Sequence, residues 1–133
     1  MRKTLLPVII LGIISLVACK KDKDKKSEYP LIYEHDCVST IKSYDGIRLC
    51  FDKVIADQRC PDDVECFWEG YAIGQFTFTK ANNAHVLSLY VRGRDTVVDG
   101  YKIKFVELTP HPLYHPGPGP RKPYKAEVEV TKM

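Results

Sequence analysis

Two histidines, His111 and His115, and three carboxylates, Asp62, Asp63 and Glu65, have the side-chain types to ligate a metal or to exchange protons. Their spacing argues against a single centre. Both histidines lie in a run holding six prolines and two glycines between Thr109 and Pro123, a composition that excludes a strand and favours an extended loop of polyproline type. Four residues of such a loop advance about 12 Å, too far for one ion to bridge unless the chain bends at Pro112 or Pro116. Tyr114, three residues after His111, would share its face and build a ridge suited to contact. The three carboxylates border a turn between Cys60 and Cys66, where acidic residues commonly do no more than face solvent. No Ser-His-Asp arrangement, phosphate-cradling glycine loop or paired-histidine metal signature can be assembled from this sequence with useful specificity. The expectation is therefore no catalytic residue, no metal and no cofactor.

Cysteines carry the other candidate chemistry. Of the five, Cys19 stands apart, because Leu16-Val17-Ala18-Cys19 ends a short apolar run and reads as a lipobox. Basic Arg2 and Lys3 precede the apolar stretch from Leu5 to Ala18, which has signal-peptide length and is too short for a retained spanning helix. Residues 1–18 are read as a lipoprotein signal, Cys19 as the lipidated residue, and residues 19–28 as a charged tether. The alternative is a plain secretory signal with an incidental cysteine. Lys20 is not the aspartate that retains lipoproteins in the inner membrane of enteric-type bacteria, which by analogy favours a lipid anchor in the outer membrane of a bacterial envelope.

The remaining cysteines, Cys37, Cys50, Cys60 and Cys66, form an even set in an exported chain, the condition for a disulfide framework. Cys60 and Cys66 bracket the turn-forming Pro61-Asp62-Asp63, and closing so short a loop stabilises by roughly 2.4 kcal/mol in the chain-entropy view. That leaves Cys37 with Cys50. A two-residue hairpin at Asp45-Gly46 would instead set Ile41 opposite Cys50, so this pairing requires a wider connection. Five residues separate Cys60 from Cys66, unlike a redox pair, and their acidic neighbours disfavour a thiolate.

The formal charge of the whole chain is +3. Arg2 and Lys3 leave with the signal, and the tether's five lysines outweigh its Asp22 and Asp24, so residues 27–133 carry about −2. The folded part is not basic, which removes the electrostatic case for a nucleic-acid partner.

What must position these residues is a sheet. Helical periodicity is nearly absent after residue 28, whereas two-residue alternation recurs, and residues 29–133 are expected to form a single all-β domain. A hairpin is predicted from Tyr71 to Lys80 and His85 to Arg92 around Asn82-Asn83, with Phe78 opposite Leu87, Phe76 opposite Leu89 and Gly74 opposite Val91. Strands are predicted from Ile47 to Ala56, with Leu49, Phe51 and Val54 inward, and from Tyr101 to Leu108 after an Asp99-Gly100 turn. In the latter the apolar phase slips between Phe105 and Val106, suggesting a bulge. The last strand points Tyr124, Ala126, Val128 and Val130 one way and Lys125, Glu127, Glu129 and Thr131 the other. Six or seven such strands favour a small antiparallel β-sandwich, with a partly open barrel as the alternative.

The stretch Asp57-Gln58-Arg59-Cys60-Pro61 through Cys66-Phe67-Trp68-Glu69-Gly70-Tyr71-Ala72 resembles the DSRCP…CVWAG-A signature of small bacterial lipoproteins and secreted proteins. Gln58 and Glu69 depart from that pattern, as do the additional Cys37 and Cys50. The likeness extends loosely to Thr109-Pro110-His111-Pro112 and the closing strand. It implies an exported all-β domain and a disulfide between Cys60 and Cys66, and it implies no activity. Trp68 is expected to cap the core, with an exposed anchor formed by Phe67, Trp68 and Tyr71 as the alternative. Asp57 and Arg59 read as an internal ion pair or turn contact.

The leading reading is a lipid-anchored, non-catalytic binding domain, inhibitor-like or accessory, that presents Trp68, Tyr71, His111, Tyr114 and His115 to a protein or ligand of the envelope or exterior. The rival is a small metal-binding protein or hydrolase of the cell envelope using His111, His115 and the acidic loop. Replacing the lipidated residue tests the address: Cys19→Ala is expected to move the protein from salt-washed membranes to the soluble fraction, and continued sedimentation would refute the anchor.

Overall fold

The computed structural model describes residues 27–38 and 46–133. The signal segment, Cys19, the tether up to Lys26 and Asp45 of the Asp45-Gly46 turn lie outside the described residues. Among the described residues nine strands run in order: β1 Ser27–Glu28, β2 Leu31–Tyr33, β3 Asp36–Val38, β4 Ile47–Asp57, β5 Ala72–Lys80, β6 Asn83–Tyr90, β7 Thr96–Val98, β8 Tyr101–Thr109 and β9 Lys125–Lys132. They pair antiparallel into two sheets, one ordered β3-β4-β5-β6 and the other β1-β9-β8-β7 with β2 also on β9. The architecture is the expected β-sandwich and is not closed into a barrel. Its first strand already takes up Ser27 and Glu28, the end of the stretch read as tether.

β1 and β2 are two halves of one edge strand. Ser27 pairs with Thr131 and Leu31 with Glu127, which is a single continuous register. Pro30 interrupts it because proline has no N–H to give the ladder, although its carbonyl still accepts from Val128 N at 3.2 Å.

Alternation decides which side chains meet. Leu49 and Phe51 of β4, Phe76 and Phe78 of β5, Ile103 and Phe105 of β8, and Ala126, Val128 and Val130 of β9 are all buried between the sheets. Phe51 stacks on Phe76 with centroids 4.9 Å apart, and Phe105 meets Phe76 edge-on at 5.0 Å. Both are favoured arrangements of the aromatic quadrupole. The anticipated bulge lies at Val106, between the pairs Phe105–Val128 and Glu107–Glu127. This extra residue lets Phe105 and Leu108, three apart, both point inward. Two further bulges leave Asp52 and Ile55 unpaired in β4, and Asp52 accepts a hydrogen bond from Thr77 Oγ1 at 2.7 Å.

The β5–β6 hairpin differs from expectation by two residues of register. Its loop is Ala81-Asn82, with φ of 49° and 64°, not Asn82-Asn83. Phe78 therefore faces His85, Phe76 faces Leu87 and Gly74 faces Leu89. A shift of two leaves every side chain on its own face, so the hydrophobic pattern could not choose between the registers. Cross-sheet contacts favour the observed one. It brings Lys80 Nζ to Asp99 O at 2.9 Å and His85 Nε2 to Asp99 Oδ2 at 2.9 Å, on the turn that precedes β8.

Cys37 lies directly opposite Cys50, and the two form one disulfide. Cys60 and Cys66 form the other. Both expected pairings hold, while residues 39–45 of the connection between Cys37 and Cys50 lie outside the described residues.

Strand directions give the sandwich two distinct poles. Ser27, Ala81-Asn82, Asp99-Gly100 and Lys132 gather at one, the turn pole. Asp57, Ala72, Tyr90, Leu108 and Tyr124 lie at the other, where the longer connections 58–71 and 110–124 emerge. Gly74 tests the packing behind that second pole. A Cβ there would sit 2.8 Å from Phe76 Cε2, 2.9 Å from Phe105 Cε1 and 3.2 Å from Phe51 Cε2. Gly74→Ala is expected to cost about 1–3 kcal/mol as an overpacked core, read as a lower denaturant midpoint. Gly117→Ala, with nothing within 4 Å, should leave that midpoint unchanged.

Candidate functional site

The loop pole is built outward from Asp57, the last residue of β4. Its carboxylate accepts from Arg59 Nε at 2.8 Å and Nη2 at 2.7 Å, a forked pair, and from Tyr124 Oη at 2.9 Å. The two charged side chains are only 7% and 8% exposed, so the ion pair expected from sequence is a buried one. Arg59 also reaches the other sheet, donating from Nη1 to Leu108 O and from Nη2 to Pro110 O at 3.0 Å. Burial alone would raise the Asp57 carboxyl. The hydrogen bonds from Arg59 and Tyr124, with the Arg59 charge, outweigh it and hold the group below its usual value. For Tyr124, burial comes first and the neighbouring carboxylate second, and both push the phenol above its usual value.

From this clamp the chain turns back on itself. Gln58 N donates to Tyr71 O at 2.7 Å and Cys60 N to Glu69 O at 3.2 Å, extending the β4–β5 ladder beyond the strands. Gly70 makes the turn possible. It has φ of 72°, and a Cβ would lie 1.9 Å from Gln58 O, against backbone that cannot yield.

The disulfide loop and the proline loop are joined. Asp63 accepts from the consecutive backbone N–H groups of Tyr114 at 2.7 Å and His115 at 2.9 Å. These two bonds, in that order, hold its carboxyl below the usual value. Asp62 N donates to Pro112 O at 3.1 Å. The smooth polyproline extension expected for Thr109 to Pro123 is accordingly interrupted by a bend at Tyr114-His115. Tyr114 packs edge-on against His115, with centroids 4.7 Å apart, instead of forming its ridge with His111. His111 lies between Asp62 and Glu107, 3.4 Å from each, while His115 approaches Asp63 at 3.5 Å. Among the described residues, no three His, Cys, Asp or Glu side chains converge to hold a metal ion.

Trp68 does not cap the core. It is 65% exposed, Phe67 beside it is fully exposed, and Tyr71 is 43% exposed. The reason is local: Arg59 and Tyr124 already seal this end of the sandwich, and the buried part of β5 begins only at Ala72. Trp68, Tyr71, His111, Tyr114 and His115 thus all belong to the loop pole. A cleft of about 530 Å³ opens there, with Asp62, Glu69, Tyr71, Arg92, Glu107 and His111 on its walls. Arg92, Glu107 and Glu69 had not been singled out from sequence. No spacing rule pointed to the contact of Glu107 with His111, because four residues of extended chain advance about 13 Å. Comparison with protein-family models, curated proteins and solved structures returns no match.

The clamp yields a stability prediction. Arg59→Leu leaves the Asp57 charge buried without its partner and is expected to cost about 3–5 kcal/mol. Tyr124→Phe, which removes one hydrogen bond, should cost about 0.5–1.5 kcal/mol. Because the Asp57 value is depressed, its contribution is present above the ordinary value of 3.8 and disappears as the pH falls below it. In urea titrations from pH 7 to pH 2, Asp57→Asn should start less stable and show a shallower acid loss than the native chain.

Proposed function

We propose that this chain is a non-catalytic binding domain, lipid-anchored through Cys19 in a bacterial envelope, whose loop pole makes the contact. The observation that carries the reading is the joining of two long loops into one surface crowned by exposed aromatic side chains. Phe67, Trp68, Leu113 and Tyr114 leave large apolar areas in water, while the loops beneath them are tied by a disulfide and by the bonds to Asp63. Aromatic anchors on a preorganised support are the usual carriers of binding energy. Orientation adds to this. The first described strand, β1, starts at Ser27 on the turn pole, and β9 separates the poles by eight residues, about 26 Å at strand rise. A tether leaving that pole for a membrane holds the aromatic surface outward. The partner is an envelope or extracellular protein or ligand.

Full-length protein with a photocrosslinker at residue 113 tests the reading in intact envelopes. Trp68→Ala and Tyr114→Ala are expected to keep the native melting temperature, because exposed substitutions usually stay within about 0.5 kcal/mol, and to abolish the crosslinked product. Val86→Ser, on the outer face near the turn pole, should preserve it. Unfolding of Trp68→Ala, or loss of crosslinking only in Val86→Ser, would overturn the reading.

A further inference from the structure

The cleft beside the aromatic crown has a chemistry of its own. One wall carries Asp62 and Glu69 from the disulfide-loop segment. The other carries Arg92, from the β6–β7 connection, with Glu107 and His111 from β8 and the chain just beyond it. Its volume of about 530 Å³ falls within the roughly 300–1,000 Å³ of small-ligand sites. The far wall is already organised. Arg92 Nη2 pairs with Glu107 Oε2, Glu107 Oε1 accepts from Leu108 N at 3.3 Å, and Arg92 N donates to Phe105 O at 2.8 Å. Tyr71 stands at the lip with its ring partly exposed and 6.0 Å from that of Tyr90. Gly70, which also lines the cleft, lets its segment lie close against Gln58 and Arg59, since a Cβ there would strike their backbone.

These groups select among ligand classes. An apolar ligand would take three carboxylates and a guanidinium out of water, a desolvation cost that the Arg92–Glu107 pair offsets only in part. A phosphate or nucleotide would meet Asp62, Glu69 and Glu107 against the single exposed cation Arg92, which Glu107 already engages. A cationic ligand would meet that same arginine. A neutral polyhydroxylated molecule meets neither conflict. Each hydroxyl both donates and accepts, so one group can donate a hydrogen bond to a carboxylate while another accepts one from Arg92. Its C–H face can also cover an exposed ring. We infer that this cleft binds a saccharide, with Arg92, Glu107, Glu69 and Asp62 holding its hydroxyls and Tyr71 stacking on a sugar face. The inference rests on the binding-domain reading and names the ligand class for that same pole.

Affinity electrophoresis of the full-length protein in detergent, against soluble neutral oligosaccharides of hexose and N-acetylhexosamine units, is the test. Spermidine and inorganic phosphate serve as competing probes. At least one saccharide is expected to retard the native protein. Tyr71→Ala and Arg92→Ala should each weaken that binding at least tenfold with native melting temperatures, Arg92→Lys should recover part of it, and Val86→Ser should bind as the native chain. Binding of spermidine or phosphate in place of any saccharide would overturn the inference, as would saccharide binding indifferent to Tyr71 and Arg92. If no saccharide binds while Trp68-dependent crosslinking persists, the inference fails and the binding-domain reading stands. Loss of both removes the two together.

Discussion

The guanidinium of Arg59 is the contact on which the loop pole depends. It reaches Asp57 in one sheet and the carbonyls of Leu108 and Pro110 at the end of the other, while Tyr124, the residue before β9, completes the carboxylate's shell. A buried ion pair is a poor source of net stability, because desolvation opposes the Coulombic gain. Here the arginine's Nε and both of its terminal nitrogens each donate to an acceptor, which offsets part of the cost of taking the charge out of water. What it contributes is position. Leu108 and Pro110 are where the proline loop departs, and Asp57 is two residues before Arg59 and three before the first cysteine of the disulfide loop. One side chain thereby sets the origins of both loops.

The two disulfides work on different parts of this arrangement. Cys37 and Cys50 face each other across β3 and β4, in a sheet whose inner face already packs Leu49 and Phe51. Their bond secures a short edge strand that buries little by itself. Cys60 and Cys66 close a loop that contributes no strand, and there the cross-link substitutes for a core. Asp63, inside that loop, then holds the backbone of Tyr114 and His115. Restraint passes from the sheet to Arg59, to the disulfide loop, and from it to a proline-rich segment that could not pair with a sheet at all.

Much of the sandwich is legible in the chain because a sheet with one wet face imposes a two-residue code. The inward set Tyr124, Ala126, Val128 and Val130 is buried as read, and the phase slip after Phe105 is a bulge at Val106. The code fails where two answers satisfy it equally. Placing the β5–β6 turn at Ala81-Asn82 or one residue later preserves both faces, and the choice falls to Asp99 of the other sheet, beyond any local pattern. The loop pole was the least legible region. Trp68 has the composition of a core residue, yet a polar clamp of Asp57, Arg59 and Tyr124 fills the space it would have capped. The bonds from Asp63 to Tyr114 and His115 span 51 and 52 residues, and no spacing rule reaches so far.

That failure bears on function. A tryptophan held in water by a sealed core beneath it loses the hydrophobic stabilisation that burial would supply, about 25 cal/mol for each Å² left exposed. Phe67 and Tyr114 incur the same loss nearby. A scaffold could relieve it by letting the loops collapse onto the sheet, but the clamp and the Asp63 bonds keep them extended. The apolar area therefore remains available to a second molecule, and the ordering cost of the loops is met on folding and not on binding. The same constraint keeps the cleft open beside the crown. Its walls are held by Gly70 against Gln58 on one side and by Arg92 with Glu107 on the other, so a ligand entering it meets polar groups already aligned.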